Sequence, residues 1–543
     1  LNKYMIIMIL SVIPFLTAMI MLFNNTFISM KMLLLNNTFM NMSLDLMMDW
    51  MSMMFLSTVM FISSMIIMFS MYYIPFKEKK QFTILLLMFM LSMMILIISN
   101  NILMILIGWD GLGLSSYVLV IYYKNFSSAA SGSITILSNR IGDILILLSM
   151  GMLISTNWNF SMNKEFMLIP MMMLMIAACT KSAQFPFSAW LPMAMAAPTP
   201  ISALVHSSTL VTAGVFILLR IMNNHPMTMI ILMIISSATA IYSSMSANWE
   251  QDLKKIIALS TLSQIAMMMF SISLMSMMLS YMHLIIHALF KSTMFLCAGI
   301  MIHESSYQDM RKMGMNNMKL PLMQSIMSIS SLALMGIPFM SSFFSKDIII
   351  EKMISSKLES TLMLMMILSI GMTASYSIRM SMHSNTSTIK LNPNSKNHTN
   401  NLCYIPILIM SMLSISSGSM MTWILNIDQM FIMNNFYKKM ILMTLLVGII
   451  MGMSLSFKNK QFMSMGQSSI SMWFTHFLST IITNKLSPMM NIYMNNDKMW
   501  QEMYGPQKSF SSIIHMSYMS NMTKYMLMFT IIIMVMMPTL LLL

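Results

Sequence analysis

Apolar runs long enough to cross a lipid bilayer recur along almost the whole chain, separated by short polar stretches. Because about 20 apolar residues span the hydrocarbon core, each run predicts a transmembrane helix. We predict about fifteen spans, at residues 5–23, 51–74, 82–99, 101–123, 133–155, 168–193, 199–222, 226–247, 253–275, 276–303, 321–355, 360–382, 403–425, 438–457 and 523–543. The pattern therefore predicts an all-α polytopic membrane protein.

Two of these runs, the sixth and the eleventh, are too long for one helix and contain helix-breaking residues. We expect breaks at Pro186 and Pro192 in the sixth and at Gly336 and Pro338 in the eleventh. Proline removes a backbone donor, which is tolerated at membrane depth only where a cavity or neighbouring helices satisfy the freed carbonyls. Broken helices line the binding sites of many transporters, so we expect the transport path here.

The two broken spans occupy equivalent places in two groups of five spans, residues 82–222 and 226–382. Because five is odd, consecutive groups enter the membrane from opposite sides, as inverted repeats do. We predict two inverted five-helix repeats, preceded by N-terminal helices and a loop at 1–81 and followed by C-terminal helices at 383–457.

Residues 458–522 stop being a membrane span without becoming hydrophilic. Apolar side chains recur there at helical spacing: Trp473, Phe474, Phe477, Leu478, Ile481, Ile482, Leu486 and Met489. This pattern predicts a lateral amphipathic helix along the membrane surface, about 90 Å long if continuous, with a bend at Gly505-Pro506. An ordinary interfacial loop is the alternative. A terminal transmembrane anchor follows at 523–543.

Composition and charge agree with a membrane protein. The chain is 57% hydrophobic and 8% charged, which excludes a soluble domain. A net charge of +14 would suggest nucleic acid in a soluble protein, but 19 of the 30 Lys and Arg fall on the side of the amino terminus and the 76–81 loop, 7 on the other side and 4 within spans. This asymmetry is the positive-inside pattern, so we expect no nucleic-acid partner, the amino terminus inside and Leu543 outside.

The three cysteines, Cys179, Cys297 and Cys403, lie far apart and form no CxxC pair. They therefore give no support for a disulfide framework, a metal site or iron–sulfur ligation. We interpret the 87 methionines as core filler and lipid-facing surface rather than as metal ligands. Any redox cofactor is expected on another chain.

Ten ionisable residues nevertheless lie in or against the apolar spans: Asp110, Arg140, Asp143, Lys181, His206, His283, His287, Lys291, Lys346 and Asp347. A charge at the bilayer centre costs several kcal/mol, so such residues turn towards the interior of a bundle and usually mark an ion or proton path. The chain is therefore predicted to be a transporter, and these residues are its candidate site.

The sixth and seventh spans carry the groups that a proton relay needs. Lys181 lies beside the first break and His206 lies early in the next span. A carboxylate that approaches or leaves a buried lysine can change whether the lysine holds its proton. The alternative, a lysine that extends to the membrane interface, is disfavoured because Lys181 lies far from both ends of its run.

Further along, His283, His287 and Lys291 are spaced four residues apart and share one helical face, where they could line a water-filled proton wire. A single histidine would more often be a satisfied core residue, but three polar groups on one stripe favour function.

Two more groups of ionisable residues complete the candidate site. Arg140 and Asp143, three residues apart, predict first a buried ion pair and second a relay element. After the second break, Lys346 mirrors Lys181 and is followed by Asp347.

These residues lie in segments that closely resemble the subunit 5 family of mitochondrial NADH:ubiquinone oxidoreductase, respiratory complex I. The resemblance covers nearly the whole chain. The segments that carry it are Gly108-Trp109-Asp110-Gly111-Leu112-Gly113, Asn139-Arg140-Ile141-Gly142-Asp143, 181–206, Gln251-Asp252-Leu253-Lys254-Lys255-Ile256 with Ser260-Thr261, His287-Ala288-Leu289-Phe290-Lys291, Asp309-Met310-Arg311-Lys312-Met313-Gly314 and 338–351.

The resemblance implies a proton-pumping, antiporter-like unit of the mitochondrial inner membrane. Asp110 and Lys181 match the family's carboxylate–lysine pair, His206 its connecting histidine and Lys346 the lysine of its second broken helix. FMN, iron–sulfur clusters and ubiquinone are implied on other subunits, with none in this chain.

The implied partners are other membrane-arm subunits, especially the antiporter-like subunit 4. Accessory subunits along the lateral helix and membrane lipids such as cardiolipin are implied as well. The sequence leaves two alternatives open, a subunit of a cation/proton antiporter complex and a purely structural membrane scaffold.

Overall fold

The computed structural model describes residues 2–36, 41–156, 168–222, 225–313, 320–355, 360–385, 401–425, 435–455, 463–470, 475–501, 505–506, 508–519, 530 and 532–534. The chain divides into two compact units, Leu1–Trp473 and Phe474–Leu543. Among the described residues, the first unit is a helical bundle with a small β-hairpin, and the second unit contains two further helices.

The helices of the first unit are α1 Asn2–Asn24, α2 Trp50–Tyr73, α3 Lys79–Ile98, α4 Ile102–Val120, α5 Phe126–Thr156, α6 Leu168–Lys181, α7 Thr199–Ile221, α8 Pro226–Trp249, α9 Leu253–Ser273, α10 Met277–Ser305, α11 Pro321–Met335, α12 Ser341–Ser355, α13 Ser360–Asn385, α14 Asn401–Leu425, α15 Asn435–Leu455 and α16 Met463–Ile470. Those of the second are α17 Thr475–Asn495 and α18 Lys508–Met519.

Within the described residues, eleven helical segments are long and apolar enough to cross a membrane, and four shorter apolar helices accompany them. A helix lies at each of the first fourteen predicted spans. The fifteenth, 523–543, falls outside the described residues except at 530 and 532–534. The prediction of a polytopic α-helical membrane protein is therefore confirmed. Each of these runs pairs its backbone groups within helices, in one piece or, at 168–193 and 321–355, in two.

An antiparallel β-hairpin between α1 and α2 was not predicted. Strand β1 (Ile28–Asn36) pairs with β2 (Asn41–Met48), and the Asn100 amide donates to the Asp45 carbonyl at 2.9 Å, which fixes β2 against the turn between α3 and α4. The segment is short, and its strands form because they contact α3 and α4. Such contacts cannot be recognised from the local sequence pattern.

Both long runs are broken, near Pro186 and at Gly336-Pro338, and side chains satisfy the carbonyls that the breaks free. The predicted break at Pro192 is wrong, because Pro192 lies in the first turn of the short helix Trp190–Met193, where its missing N–H has no helical partner to lose. Helix α6 ends at Lys181, and the Trp190 indole donates to the Thr180 carbonyl at 3.0 Å. Helix α11 ends at Gly336, whose φ of 82° suits the left-handed end of a helix, and the Ser342 hydroxyl donates to the Ala333 carbonyl. Each break is therefore a built feature of the bundle rather than a frayed end.

Glycines let the helices around the first break approach closely. A Cβ on Gly214 of α7 would lie 2.6 Å from the Ala178 carbonyl oxygen, and one on Gly142 of α5 would lie 2.3 Å from the Thr180 Oγ1. Real Cβ atoms essentially never come so close to another heavy atom, so α5 and α7 can touch the end of α6 only because these positions lack side chains. The packing holds Lys181 in the bundle interior.

The predicted lateral helix corresponds to several shorter helices. In the first unit, α16 packs on α8, where a Cβ on Gly466 would lie 2.9 Å from the Trp249 ring. In the second unit, α17 continues into a π-helical segment, Asn496–Gln501, and α18 follows. Residues 456–462, 471–474, 502–504, 507 and 520–522 lie outside the described residues, so the continuity of the helix and its bend at Gly505-Pro506 remain predictions.

Candidate functional site

Six of the predicted site residues are almost completely buried in the bundle, each with at most 2% of its surface exposed. They are Lys181, His206, His283, His287, Lys291 and Lys346. They come from α6, α7, α10 and α12, the two broken spans and the helices packed beside them. Lys181 therefore stays in the bundle interior, which agrees with its position far from both ends of the apolar run.

In the segment predicted as the first repeat, Arg140 of α5 connects two carboxylates. Its guanidinium lies 3.1 Å from Asp143 on the next turn of the same helix and 3.8 Å from Asp110 on α4. Asp143 is the more buried carboxylate, with a side chain 12% exposed against 35% for Asp110. The ion pair between Arg140 and Asp143 agrees with their spacing in the sequence, and Asp110 is its looser third member.

Lys181 contacts α4 but makes no direct ion pair with Asp110. Its Nζ donates to the Trp109 carbonyl at 3.3 Å and lies 5.0 Å from the centre of the Trp109 ring. Among the described residues, no carboxylate oxygen lies within 4.0 Å of this Nζ. The direct pair implied by the family resemblance is therefore not formed, since Arg140 contacts Asp110 instead.

Gly113 of α4 lies beside the ammonium. A Cβ there would lie 3.5 Å from the Lys181 Nζ, an ordinary van der Waals distance, so alanine would fit and only a longer side chain would crowd the ammonium. The carbonyl of Trp109 can therefore accept from Lys181 one residue before Asp110.

His206 lies in a π-helical segment, Ser202–Thr209, near the start of α7. Its ring is 6.2 Å from that of Trp190, and neither ring nitrogen hydrogen-bonds to a described protein group. A buried imidazole normally has a hydrogen-bond partner, protein or ordered water. His206 thus has two ring nitrogens that ordered water could serve.

The stripe His283–His287–Lys291 lies on α10, as the spacing predicted. The two imidazole rings are 6.2 Å apart, and the ends of the stripe contact neighbouring helices. The Lys291 Nζ lies 2.5 Å from the Ser260 Oγ of α9, and the His283 Nδ1 lies 2.8 Å from the Ser345 Oγ of α12. Polar side chains of three helices thus form one buried series.

Beyond the second break, Lys346 and Asp347 have different surroundings. The Lys346 ammonium donates to the Leu334 carbonyl near the end of α11. Asp347 lines a cavity of about 270 Å³ between the break and α15, together with Gly336, Pro338, Phe343, Glu351, Ile441, Leu442 and Leu445. Lys346 and Asp347 are therefore neighbours in the chain, but their side chains do not contact each other.

Sequence reasoning missed two further buried cations. The Lys254 Nζ donates to the Ala197 carbonyl at 3.2 Å, and the Arg379 guanidinium donates to the carbonyls of Ala247 and Glu250 at 2.9 and 2.5 Å. Each is about 4% exposed. Both lie near the ends of predicted spans, where charged residues are usually exposed at the membrane interface, so no sequence pattern marks them as buried. Only the carbonyls that they reach distinguish them.

Two family models match this chain. The first, described as NADH:quinone oxidoreductase/Mrp antiporter, covers residues 99–373. The second, described as NADH dehydrogenase subunit 5 C-terminus, covers residues 376–543. The first includes every candidate site residue, and the second includes the segment predicted to form the lateral helix.

Relatives and a solved structure agree with these matches. NADH-ubiquinone oxidoreductase chain 5 of Anopheles gambiae is 38% identical over 90% of both chains, and that of Aedes aegypti is 37% identical over 87% of this chain and 85% of its own. A chain in a structure of the Mrp complex from Dietzia sp. superposes with a TM-score of 0.71 at 19% identity, covering 88% of this chain and 57% of that chain, which is a likeness of fold. The chain described here belongs to the NADH-ubiquinone oxidoreductase chain 5 family.

Proposed function

We propose that this chain is a proton-translocating subunit of the membrane arm of NADH:ubiquinone oxidoreductase in the mitochondrial inner membrane. Family membership supports the complex, and the buried ionisable groups support the chemistry. The observation that carries the proposal is the fully buried stripe His283, His287 and Lys291 on α10. Ionisable groups at membrane depth are costly to bury and usually mark ion or proton paths.

The relay proposed here uses exchange of partners as its loading step. Asp110 moves between Arg140 and Lys181: close to Lys181 it favours the charged ammonium, and close to Arg140 it leaves the lysine with only the Trp109 carbonyl. Arg140 and Asp143 form the structural ion pair that remains during this exchange. The switch therefore depends on one carboxylate with two cationic partners.

His206 then connects the first repeat to the α10 stripe, and Lys346 with Asp347 forms the final part of the path. An imidazole suits the connecting role because one ring nitrogen can accept a proton while the other donates one. Asp347 and Glu351 place two acidic side chains beside the 270 Å³ cavity, where the path ends near the second break.

The redox centres and partners belong to the same proposal. We assign FMN, the iron–sulfur clusters and the ubiquinone site to other subunits, and we assign the antiporter-like subunit 4 as a membrane-arm partner. Apolar side chains exposed on α17, including Ile481, Leu486 and Met489, support a lateral surface for accessory subunits and lipids such as cardiolipin.

The Mrp-like fold favours one alternative, a subunit of a cation/proton antiporter complex. Both functions would use the same lysines and histidines. The mass and composition of the native assembly separate them, since the proposal requires flavin and iron–sulfur proteins to co-purify with this chain and the alternative does not.

Substitution of Lys291 tests the relay. In the assembled enzyme, Lys291→Met keeps an unbranched side chain of similar length but removes the ammonium, so we expect fewer protons moved per electron in reconstituted vesicles; Lys291→Ala should act alike. Lys312→Ala, in an exposed loop after α10, is the matched control. Wild-type pumping with Met or Ala at 291 would show that the stripe is not the path.

A further inference from the structure

The two serines that contact the ends of the α10 stripe have no role in the relay described so far. Ser260 lies on α9 and Ser345 on α12, and both are fully buried. Each contacts one end of the stripe, Ser260 at Lys291 and Ser345 at His283. Through these two serines, α9 and α12 can therefore act on the α10 stripe.

The hydroxyl proton of Ser260 is already used. Ser260 Oγ donates to the Ile257 carbonyl of its own helix at 2.7 Å, and a hydroxyl has only one proton but two lone pairs. Towards Lys291 it can therefore only accept. The contact at 2.5 Å fixes the position of the Lys291 Nζ and directs one of its N–H groups at α9.

Ser345 contacts two groups. Its Oγ lies 3.1 Å from the Ser342 carbonyl and 2.8 Å from the His283 Nδ1, and its one proton can go to either group. When the proton goes to the carbonyl, the imidazole donates through Nδ1, and a neutral His283 then has its lone pair on Nε2. The Nε2 makes no hydrogen bond to a described protein group, so it is the atom free to accept a proton.

We propose that Ser260 and Ser345 are positioning residues of the proton path: Ser260 fixes the Lys291 ammonium and Ser345 fixes the tautomer of His283. The inference rests on the proposed proton-translocating function and specifies which atoms of Lys291 and His283 would donate and accept the proton. Since Ser345 immediately precedes Lys346, movement of the second broken helix would change the tautomer of His283 and the contacts of Lys346 together.

The test replaces each hydroxyl in the intact complex. Ser260→Ala and Ser345→Ala remove the hydroxyl. We expect proton uptake coupled to NADH oxidation in vesicles to slow by about ten-fold for Ser260→Ala, as loss of a hydrogen bond to a charged group does, and by less for Ser345→Ala, whose partner is a neutral imidazole. Ser260→Thr and Ser345→Thr keep the hydroxyl and should restore it. Ser271→Ala is the matched control, because this buried serine of α9 donates to its own helix, at the Met268 carbonyl.

The outcomes separate this inference from the proposed function. Normal pumping by Lys291→Met would overturn the relay itself. Loss of pumping with Lys291→Met but wild-type pumping with alanine at both serines would overturn the positioning roles alone. If an alanine variant does not assemble, Ser260→Cys and Ser345→Cys decide, since sulfur keeps the volume but accepts hydrogen bonds weakly; wild-type rates with cysteine would also overturn the proposal.

Discussion

Replacing Asp110 with asparagine separates a gating role for this carboxylate from a structural one. The change removes one negative charge and hardly alters the shape of the side chain. Arg140 loses its contact at 3.8 Å but keeps the nearer one with Asp143 at 3.1 Å, and Lys181 keeps the Trp109 carbonyl. The variant therefore loses the mobile partner of Lys181 while the contacts that hold α4, α5 and α6 together remain.

The distances give the expected structural cost. With an effective dielectric constant of about 20, the direct attraction is about 4 kcal/mol for Arg140–Asp110 and about 5 kcal/mol for Arg140–Asp143. The side chains of Arg140 and Asp110 are 45% and 35% exposed, so screening reduces the net contribution of their pair to about 1 kcal/mol or less. This is at most about a five-fold change in a folding or assembly equilibrium.

Two measurements on the Asp110→Asn complex decide the matter. We expect the amount of assembled enzyme to fall by about five-fold at most, as worked out above, and protons moved per electron in reconstituted vesicles to fall clearly. Asp110→Glu retains the charge and should pump. Asp143→Asn removes the closer, more buried partner and should lower the amount of complex more. A normal proton-to-electron ratio with asparagine at 110 would refute the gating role.

Three further predictions concern packing, the second unit and topology. Gly214→Ala places a methyl group against the Ala178 carbonyl and should destabilise the complex by about 1–3 kcal/mol in thermal unfolding. Gly151→Ala, with open space around it, should not. Equal unfolding midpoints for the two variants would show that α7 can shift to accept the methyl group. Truncation near Gly505 should weaken the association of the membrane arm on native gels and leave the relay intact in subcomplexes that remain; an unchanged complex would argue against lateral docking. Cysteines at Lys77 and His225 should react with an impermeant reagent from the matrix and intermembrane sides respectively, and labelling of both from one side would show a miscounted span.

The spans and breaks could be predicted because their causes are local. Each apolar run must satisfy its own backbone within the bilayer, so length and hydropathy suffice to place a helix. Proline and glycine act near the residue where they occur, which is why the breaks near Pro186 and at Gly336 were correctly predicted, whereas Pro192 in the first turn of a short helix does not end it. The periodicity of an α-helix likewise places His283, His287 and Lys291 on one face.

Partner choice at the site could not be predicted in this way. Asp110 contacts Arg140 rather than Lys181, and Lys346 contacts the end of α11 rather than Asp347. The selection of Ser260 and Ser345 from the many serines of the chain depends on how α9 and α12 pack on α10. Such contacts join residues far apart in the sequence, so no local pattern contains them.

The sequence by itself determined the class of protein, its broken helices and the buried lysines and histidines, because the cost of placing charge and unpaired backbone groups in a bilayer acts on each segment separately. Only the tertiary structure decided which donor meets which acceptor. Whether a carboxylate or a carbonyl lies beside Lys181 depends on how closely neighbouring helices approach, and this approach is set by the packing of residues such as Gly142 and Gly214 across helices.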